Sequence, residues 1–512
     1  MPRDILTEII DRRKSDMERL GLEFGCPVPE TRQRKIHPFI QEKGAILEIK
    51  RASPSKGDIA PGLDAGVTAV QYAKAGARAI SCLTETNYFK GTLNDFMKAA
   101  AALDEYEAAN PGVQIPALLR KDFLISAAEV EVAYRAGADA VLLIARILAK
   151  ETMLEMAQKC AGLGISALIE VRKEADLEKL AFVMNQVDHK YIVCGVNSRD
   201  LKDFTIDMLS PAGMLDEIRK IASDARVTFE SGILTPQSAA FAGSMGFSAI
   251  LLGEAAAKNP DKAVEFTKAF ESTAVNKAGQ AWTEYAASLH AKKLPLVKIC
   301  GITKAEDAVL AAELGADFLG FIFWKKSKRC TDADSVRNIK KVLAEKYGDA
   351  IPEFVGVIVE LGTEESDAAI SLVREGVLDK IQFHGFKVPD PLEKEFADIP
   401  RYAAVNVSSI EDIPKLKDCL LYGEPRVLVD AQISGMIGGT GKRIDGALVK
   451  EVQKEVKLWL AGGITPDNVA EVVESYEPEL IDIASGVESE PGIKDHGKLK
   501  ALFQNLTTHR SK

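Results

Sequence analysis

From residue 46 onward, short apolar runs alternate with amphipathic stretches of helical period. In the first half the runs read AILEIK, AISCLT, IPALLRKD, AVLLIA, SALIEV, YIVCGVN, VTFESG and AILLG, eight in all. A second series of eight follows: LPLVKICGIT, FLGFIF, FVGVIV, KIQFHG, YAAVNV, VLVDAQ, LWLAGGI and IDIASG. Strand-length runs separated by helix-length stretches predict βα units and parallel sheets. Ahead of the first series, DILTEIIDRRKSDMERLG sets Ile5, Ile9, Ile10, Met17 and Leu20 along one helical stripe, which predicts an extra helix covering an end of the first sheet. The pattern therefore predicts an α/β chain of two tandem (β/α)8 TIM barrels, the first with that N-terminal helix. The expected boundaries are 1–258 for the first barrel, 259–294 for a closing helix and connector, and 295–512 for the second barrel.

Alternation along a strand sends Glu48 and Lys50 to one face, with Leu47 and Ile49 on the other. In a closed barrel the shared face is the interior, and charge near the C-terminal mouth reads as chemistry. The same reasoning puts Lys121, Glu170, Asn197, Glu230 and Ser231 at converging strand ends. A single such charge would read as a structural ion pair; three carboxylates and two ammoniums together imply a charged ligand between them. In the second half, Lys298 and Cys300 share a face, and Asp430 ends a strand at the mouth. A buried cysteine is usually an inert hydrophobe, but beside a lysine its thiolate is stabilised.

The last quarters of the two halves resemble each other. FESGILTPQSAA matches LAGGITPDNVAE, and AILLGEAAAKNP matches IDIASGVESEPG. A strand-end glycine before a helix lets backbone N–H groups approach an anion, and eightfold barrels commonly bind phosphate after strands seven and eight. Gly232 with Gly253 and Gly463 with Gly486 fit that pattern. Gly438, Gly439 and Gly441 suit a loop or anion cradle, on weaker grounds.

Composition narrows the partners. At 512 residues with 46% hydrophobic and 27% charged, the chain is globular, and a net charge of −10 disfavours nucleic acid and anionic membrane. Seven cysteines without a C-x-x-C pair predict a reducing cytoplasm, and six histidines without a ligand cluster predict no metal. No apolar h-region and no run of membrane-spanning length is found.

ILEIKRASPSKG, the KDF of Lys121 to Phe123, LIEV, VNSRDL and FESGI together closely resemble indole-3-glycerol phosphate synthase, from about Leu6 to Asn259. That resemblance implies ring closure of 1-(2-carboxyphenylamino)-1-deoxyribulose 5-phosphate with loss of carbon dioxide and water. It implies Lys121 as general acid on the ribulose carbonyl oxygen, Lys50 as holder of the substrate carboxylate and aid to dehydration, and Glu170 as base in rearomatisation. Glu48, Asn197 and Glu230 would orient these groups. Ser53, Arg199, Ser231, Gly232 and Gly253 would surround the phosphate, and Phe89 with Phe123 would pack on the anthranilate ring. The chain departs from the family in APGLDAG after strand one and in Glu254, where some members have serine.

KICGIT, GFIFWKKSKR, QFHG, DAQISGMIGGTGKRID, LAGGITPDNV and SGVESEPGIKD closely resemble phosphoribosylanthranilate isomerase, from about Leu296 to Phe503. This implies an Amadori rearrangement of N-(5-phosphoribosyl)anthranilate, with Cys300 as base at C2′ and Asp430 as acid on the ring oxygen. Arg329 would face the anthranilate carboxylate, Lys298 would support the site, and Gly462, Gly463, Ser485 and Gly486 would bind phosphate. His384, a lone histidine in a strand, reads as structural, and Ala484 stands where relatives often carry a polar residue.

The two implied reactions are consecutive, so the expected protein is a bifunctional enzyme of tryptophan biosynthesis, synthase first. It would be a cytoplasmic monomer acting on small phosphosugar-anthranilate substrates without a cofactor. A histidine-pathway type of isomerase would need paired aspartates in place of Cys300 and Asp430. A sensor with one dead barrel would bind without turnover, which intact Lys50, Lys121, Glu170, Cys300 and Asp430 argue against.

Overall fold

Each apolar run becomes a strand because its alternate residues meet the barrel interior while the others meet covering helices. In the computed structural model, which describes residues 5–54, 56–199, 205–289, 294–386, 388–431 and 446–507, the first eight strands are β1 (Gly44–Ile49), β2 (Ala79–Leu83), β3 (Ala117–Lys121), β4 (Ala140–Ile144), β5 (Ser166–Val171), β6 (Ile192–Asn197), β7 (Val227–Glu230) and β8 (Ala249–Leu252). They pair in sequence order, all parallel, and β8 closes on β1 through Gly44 to Ala249 and Leu47 to Leu252. The second set is β9 (Leu296–Cys300), β10 (Phe318–Ile322), β11 (Glu353–Ile358), β12 (Lys380–His384), β13 (Arg401–Val407), β14 (Val427–Ala431), β15 (Trp459–Ala461) and β16 (Leu480–Ile483). It closes through β16 on β9, with Lys298 opposite Asp482. The chain divides into Met1–Val275 and Asn276–Lys512, so the stretch 259–294 gives helix Pro260–Ser272 to the first unit and helix Lys277–Leu289 to the second.

Ile46, Ala117, Leu119, Leu142, Leu168, Val193 and Leu251 form the inner cluster of the first barrel. Glu48 shares the face of Ile46 and is 1% exposed. The N-terminal helix, Ile5–Leu20, covers this mouth, but by a different stripe from the one the sequence suggested. Its buried residues are Leu6, Ile9 and Arg13, while Leu20 is exposed. The reason is electrostatic: Arg13 reaches Asp122 at 2.6 Å and also pairs with Glu129, and these bonds turn the helix face.

In the second unit, helix Lys277–Leu289 stoppers the end of the barrel where the strands begin. Its Tyr285 lies 5.4 Å from Trp459 ring to ring, and Tyr402 lies 5.1 Å from the same indole. The Tyr285 hydroxyl and the Trp459 Nε1–H both donate to Glu479 Oε1, at 3.0 and 2.8 Å, so these buried polar tips are satisfied. Among the described residues, no helix is long and apolar enough to cross a membrane. The glycine run at 438, 439 and 441 lies outside the described residues.

Candidate active sites

In the first barrel the strand tips build one connected line of charge. Lys50 Nζ lies 2.7 Å from Glu48 Oε1, Lys121 Nζ lies 3.1 Å from Glu48 Oε2, and Lys121 also meets Glu230 Oε2 at 3.3 Å. Burial alone would raise the Glu48 carboxyl, yet the ammoniums of Lys121 and Lys50 outweigh it and hold the group down at about 2. Burial works against the Lys121 charge as well, but Glu48, Glu230 and Glu170 keep it ionised well beyond the ordinary lysine range. Glu170 goes the other way. Burial, reinforced by the Glu230 charge, pushes it up to about 7, and Asn197 Nδ2 lies 3.5 Å from its Oε2.

Above this line opens a cleft. One end is apolar, formed by Ile5 and Ile9 of the N-terminal helix with Phe89, Phe123 and Ile144. Phe89 and Phe123 stand 6.1 Å apart, tilted by 39°. The lining also includes Ser53, Lys56, Arg199, Ser231, Gly232 and Gly253. The Glu254 carboxylate, held down first by its bond to Lys258, is close enough to Lys56 and Arg199 to be lowered by their charge as well. Ser231 and Gly232 take positive φ in succession, 68° and 78°, a strained path for the serine. A side chain on Gly253 would put its Cβ 2.7 Å from Glu48 Oε1, so any larger residue there must displace the carboxylate that pairs with Lys50. Of the residues expected here, Glu230 alone lies outside the cleft lining; it stands buried behind Lys121.

Sequence reasoning passed over two supports of this site. Glu85 accepts from the backbone N–H groups of Asn87, Tyr88 and Phe89 at 2.8, 2.7 and 3.0 Å, which fixes the loop that carries the Phe89 ring. Asp122 accepts from Arg13, Thr84 and the Phe123 N–H, and so sets the turn between Lys121 and Phe123. An acid two to four residues before an aromatic loop was the readable signal for Glu85.

In the second barrel, Lys298 is fully buried, 2.7 Å from Asp482 and 3.0 Å from Gln382 Oε1. Burial opposes its charge, but the Asp482 carboxylate keeps it protonated. Burial pushes the Cys300 thiol up, and Lys298, which hydrogen-bonds it, pulls back. Asp430 is raised by burial, against the pull of His384, and it feels the same Asp482 and Lys298 that act on Cys300. Base and acid candidates therefore share one electrostatic neighbourhood. His384 Nε2 stands 3.7 Å from Asp430 Oδ2.

Arg329 lies along Gly301, whose Cβ would sit 2.8 Å from its Cδ, and its guanidinium grips Glu488 through Nε at 2.9 Å and Nη2 at 2.6 Å. Buried Lys494 bonds Glu488 at 3.0 Å and the main-chain carbonyl of Cys300, which ties this cluster to the thiol. Gly462 and Gly463 take φ of 102° and 61°. Asn468 accepts from Thr465 N and donates to Gly463 O, holding that turn at the end of β15. Gly486 packs so closely on it that a Cβ would fall 1.9 Å from Ile464 O. Ser485 opens the short helical turn Ser485–Val487 after β16.

Residues 27–269 match the family model of indole-3-glycerol phosphate synthase, and residues 297–505 match that of N-(5′-phosphoribosyl)anthranilate (PRA) isomerase. The multifunctional tryptophan biosynthesis protein of Schizosaccharomyces pombe is 32% identical over 495 residues, covering 90% of this chain; the chain spans 59% of that relative's length. The tryptophan biosynthesis protein TrpCF of Vibrio parahaemolyticus is 31% identical over 469 residues, covering 91% of this chain and 85% of its own. Among solved structures, phosphoribosyl anthranilate isomerase from Thermotoga maritima is 32% identical, covering 42% of this chain and 100% of that chain with a TM-score of 0.37.

Proposed function

The chain belongs to the family of bifunctional tryptophan-biosynthesis proteins with indole-3-glycerol phosphate synthase in the N-terminal half and phosphoribosylanthranilate isomerase in the C-terminal half, and from that premise we propose which side chains perform each step. The observation that carries the reading is the Lys50–Glu48–Lys121–Glu230 line beneath a cleft whose lining joins an aromatic end to cationic and glycine residues. A phosphosugar joined to an anthranilate ring has the same polarity.

In the synthase barrel, the aryl ring lies between Phe89 and Phe123 and the phosphate lies by Ser53, Arg199, Ser231, Gly232 and Gly253. Lys50 pairs with the substrate carboxylate. When the aryl carbon attacks the ribulose carbonyl, negative charge grows on that oxygen, and Lys121 supplies the proton. Its carboxylate partners hold that proton firmly, but an alkoxide is a stronger base than an amine, so the transfer runs downhill. Loss of carbon dioxide from the aryl carbon that attacked restores the benzene ring, and the new hydroxyl leaves as water with a proton from Lys50. Glu170 takes the proton of the adjacent CH2 carbon as the five-membered ring becomes aromatic, while Glu48, Asn197 and Glu230 keep these groups aligned.

A base must be ionised to act. With Glu170 near 7, synthase turnover should fall as pH drops through about 7. Glu230→Gln removes the charge that helps raise Glu170 and should move this acid limb to lower pH, besides slowing the reaction. A pH profile of kcat for both proteins, followed by indole absorbance, tests this; an unmoved limb would remove Glu170 from the base role.

In the isomerase barrel, Asp430 protonates the furanose oxygen and the ring opens to an imine. Cys300 removes the C2′ proton, and the resulting enolamine becomes the ketone as C1′ takes a proton and the C2′ hydroxyl gives one up. Arg329 meets the anthranilate carboxylate, and Lys298 steadies the thiolate. The Gly462–Gly463 turn, Ser485 and Gly486 seat the phosphate. Gly486→Ala forces a methyl against the Ile464 carbonyl, a backbone atom that moves only with its whole turn. Loss of one or two charge-assisted hydrogen bonds to phosphate corresponds to roughly a 10- to 100-fold rise in isomerase KM. Synthase KM should not change, and steady-state assays of both activities on one preparation check the split.

Both reactions run on proton transfers that these side chains supply, so we assign no cofactor. The seven cysteines are free thiols, the state that a reducing cytoplasm maintains. Each set of assigned residues lies within one barrel, so a single chain suffices as the working unit.

A further inference from the structure

Gln382, one strand residue pair below His384, decides which proton the imidazole carries. The Lys298 ammonium has three donors and no acceptor. The Gln382 atom that stands 3.0 Å from it is therefore the carbonyl oxygen, and the same oxygen accepts from the Tyr402 hydroxyl at 3.0 Å. The other end of the amide, Nε2, can only donate. It stands 3.1 Å from His384 Nδ1. Nδ1 must therefore accept, and a neutral imidazole with an unprotonated Nδ1 carries its hydrogen on Nε2, the atom facing Asp430 Oδ2 across 3.7 Å. A second proton on Nδ1 would confront the amide N–H, so the imidazolium is opposed by geometry. Among the described residues, the charged groups facing this ring are Asp430 from β14, Lys298 from β9 and Asp482 from β16.

We propose that His384 is a positioning residue of the isomerase site, fixed by the Lys298–Gln382 string as a neutral Nε2–H donor to Asp430. The inference rests on Asp430 being the general acid. The donor faces Oδ2, so the acidic hydrogen sits on Oδ1, free for the substrate. As that hydrogen leaves, the new carboxylate draws on Nε2–H, and the 3.7 Å separation closes to a hydrogen bond. Because the imidazole cannot accept a second proton, it cannot remove the one that Asp430 must deliver. Lys298 thus serves both partners: it touches the Cys300 thiol and, through Gln382, sets the donor at Asp430.

The test is nitrogen NMR on the full chain with labelled histidine, the His384 signal being the one absent from His384→Gln. The expected result is a neutral Nε2–H ring that does not titrate between about pH 5 and 8. A proton on Nδ1, or conversion to imidazolium in that range, overturns the proposal. Gln382→Glu should replace the donor by an acceptor and convert the ring to imidazolium, whose charge lowers the pKa of Asp430 and so depletes the protonated acid. Isomerase kcat should then fall about 10- to 100-fold, the worth of one hydrogen bond to a charged group, with KM nearly constant. His384→Gln, which keeps an N–H donor, should retain more kcat than His384→Phe; equal losses count against the donor role. An unchanged thermal unfolding transition of each variant reports that the isomerase barrel has folded. Asp430→Asn separates the two ideas: if it isomerises normally, the acid assignment fails, while the ring's tautomer is measured independently.

Discussion

Replacing Lys121 by alanine is expected to lower indole-glycerol phosphate formation by about 10²- to 10⁴-fold, the usual worth of a positioned proton donor, while isomerisation in the same chain stays at its normal rate. The size of the effect follows from what Lys121 touches. It lies between Glu48 and Glu230, at 3.1 and 3.3 Å, so the substitution removes the proton source and also leaves two buried carboxylates facing each other with Lys50 as the remaining cation. Breaking a buried ion pair by deleting one partner typically costs about 3–5 kcal/mol, so a loss of fold could imitate a loss of chemistry. The control must report on the first barrel itself: an unchanged thermal unfolding transition of that unit shows it intact, and normal isomerase turnover shows the same for the second. Lys121→Met, which keeps the side-chain volume, should fail as completely as alanine. Retention of synthase turnover in either variant would remove Lys121 from the proton-donor role, and loss of both activities in a folded protein would overturn the separation of the two sites.

Cys300→Ala should do the reverse, with isomerase kcat down by about 10²- to 10⁴-fold and the synthase untouched. The thiol is 6% exposed, and it packs against Gly320, where a Cβ would approach its Sγ to 2.7 Å. Its pKa is raised by burial and drawn back by Lys298. Cys300→Ser should lose nearly as much, because a hydroxyl is a far weaker acid than a thiol and forms little alkoxide even beside an ammonium. Wild-type isomerase should show a bell-shaped pH profile whose two limbs belong to the Cys300 and Asp430 pair jointly, and the alkaline-side behaviour should change when the thiol is removed. Parallel assays of anthranilate fluorescence on the two variants read both predictions at once.

The strands were legible because each is a short apolar run ending near a glycine or a polar residue, and period-two alternation then placed Glu48, Lys50, Lys298 and Cys300 on inner faces. The same rule applied one step further would have found Gln382, two residues before His384, and Asp482, two before Ala484, both inside quoted strands. What alternation cannot reveal is contact across the ring. Lys298 meets Asp482 at a separation of 184 residues, and Arg329 meets Glu488 at 159. The N-terminal helix illustrates the limit from the other side: its hydrophobic stripe is visible in Ile5, Ile9 and Ile10, but the docked face includes Arg13, because acidic partners elsewhere in the chain make that position buried.

Arg13 meets Asp122 and Glu129, 109 and 116 positions further along. A ribosome adding about 5–20 residues per second exposes this helix on the order of ten seconds before its acidic partners exist. During that interval a wholly aliphatic stripe would invite aggregation, whereas a guanidinium set within it keeps the waiting segment soluble. Once Asp122 and Glu129 emerge, the same cation becomes the latch, so the lid over the aromatic end of the cleft is translated first and fastened afterwards.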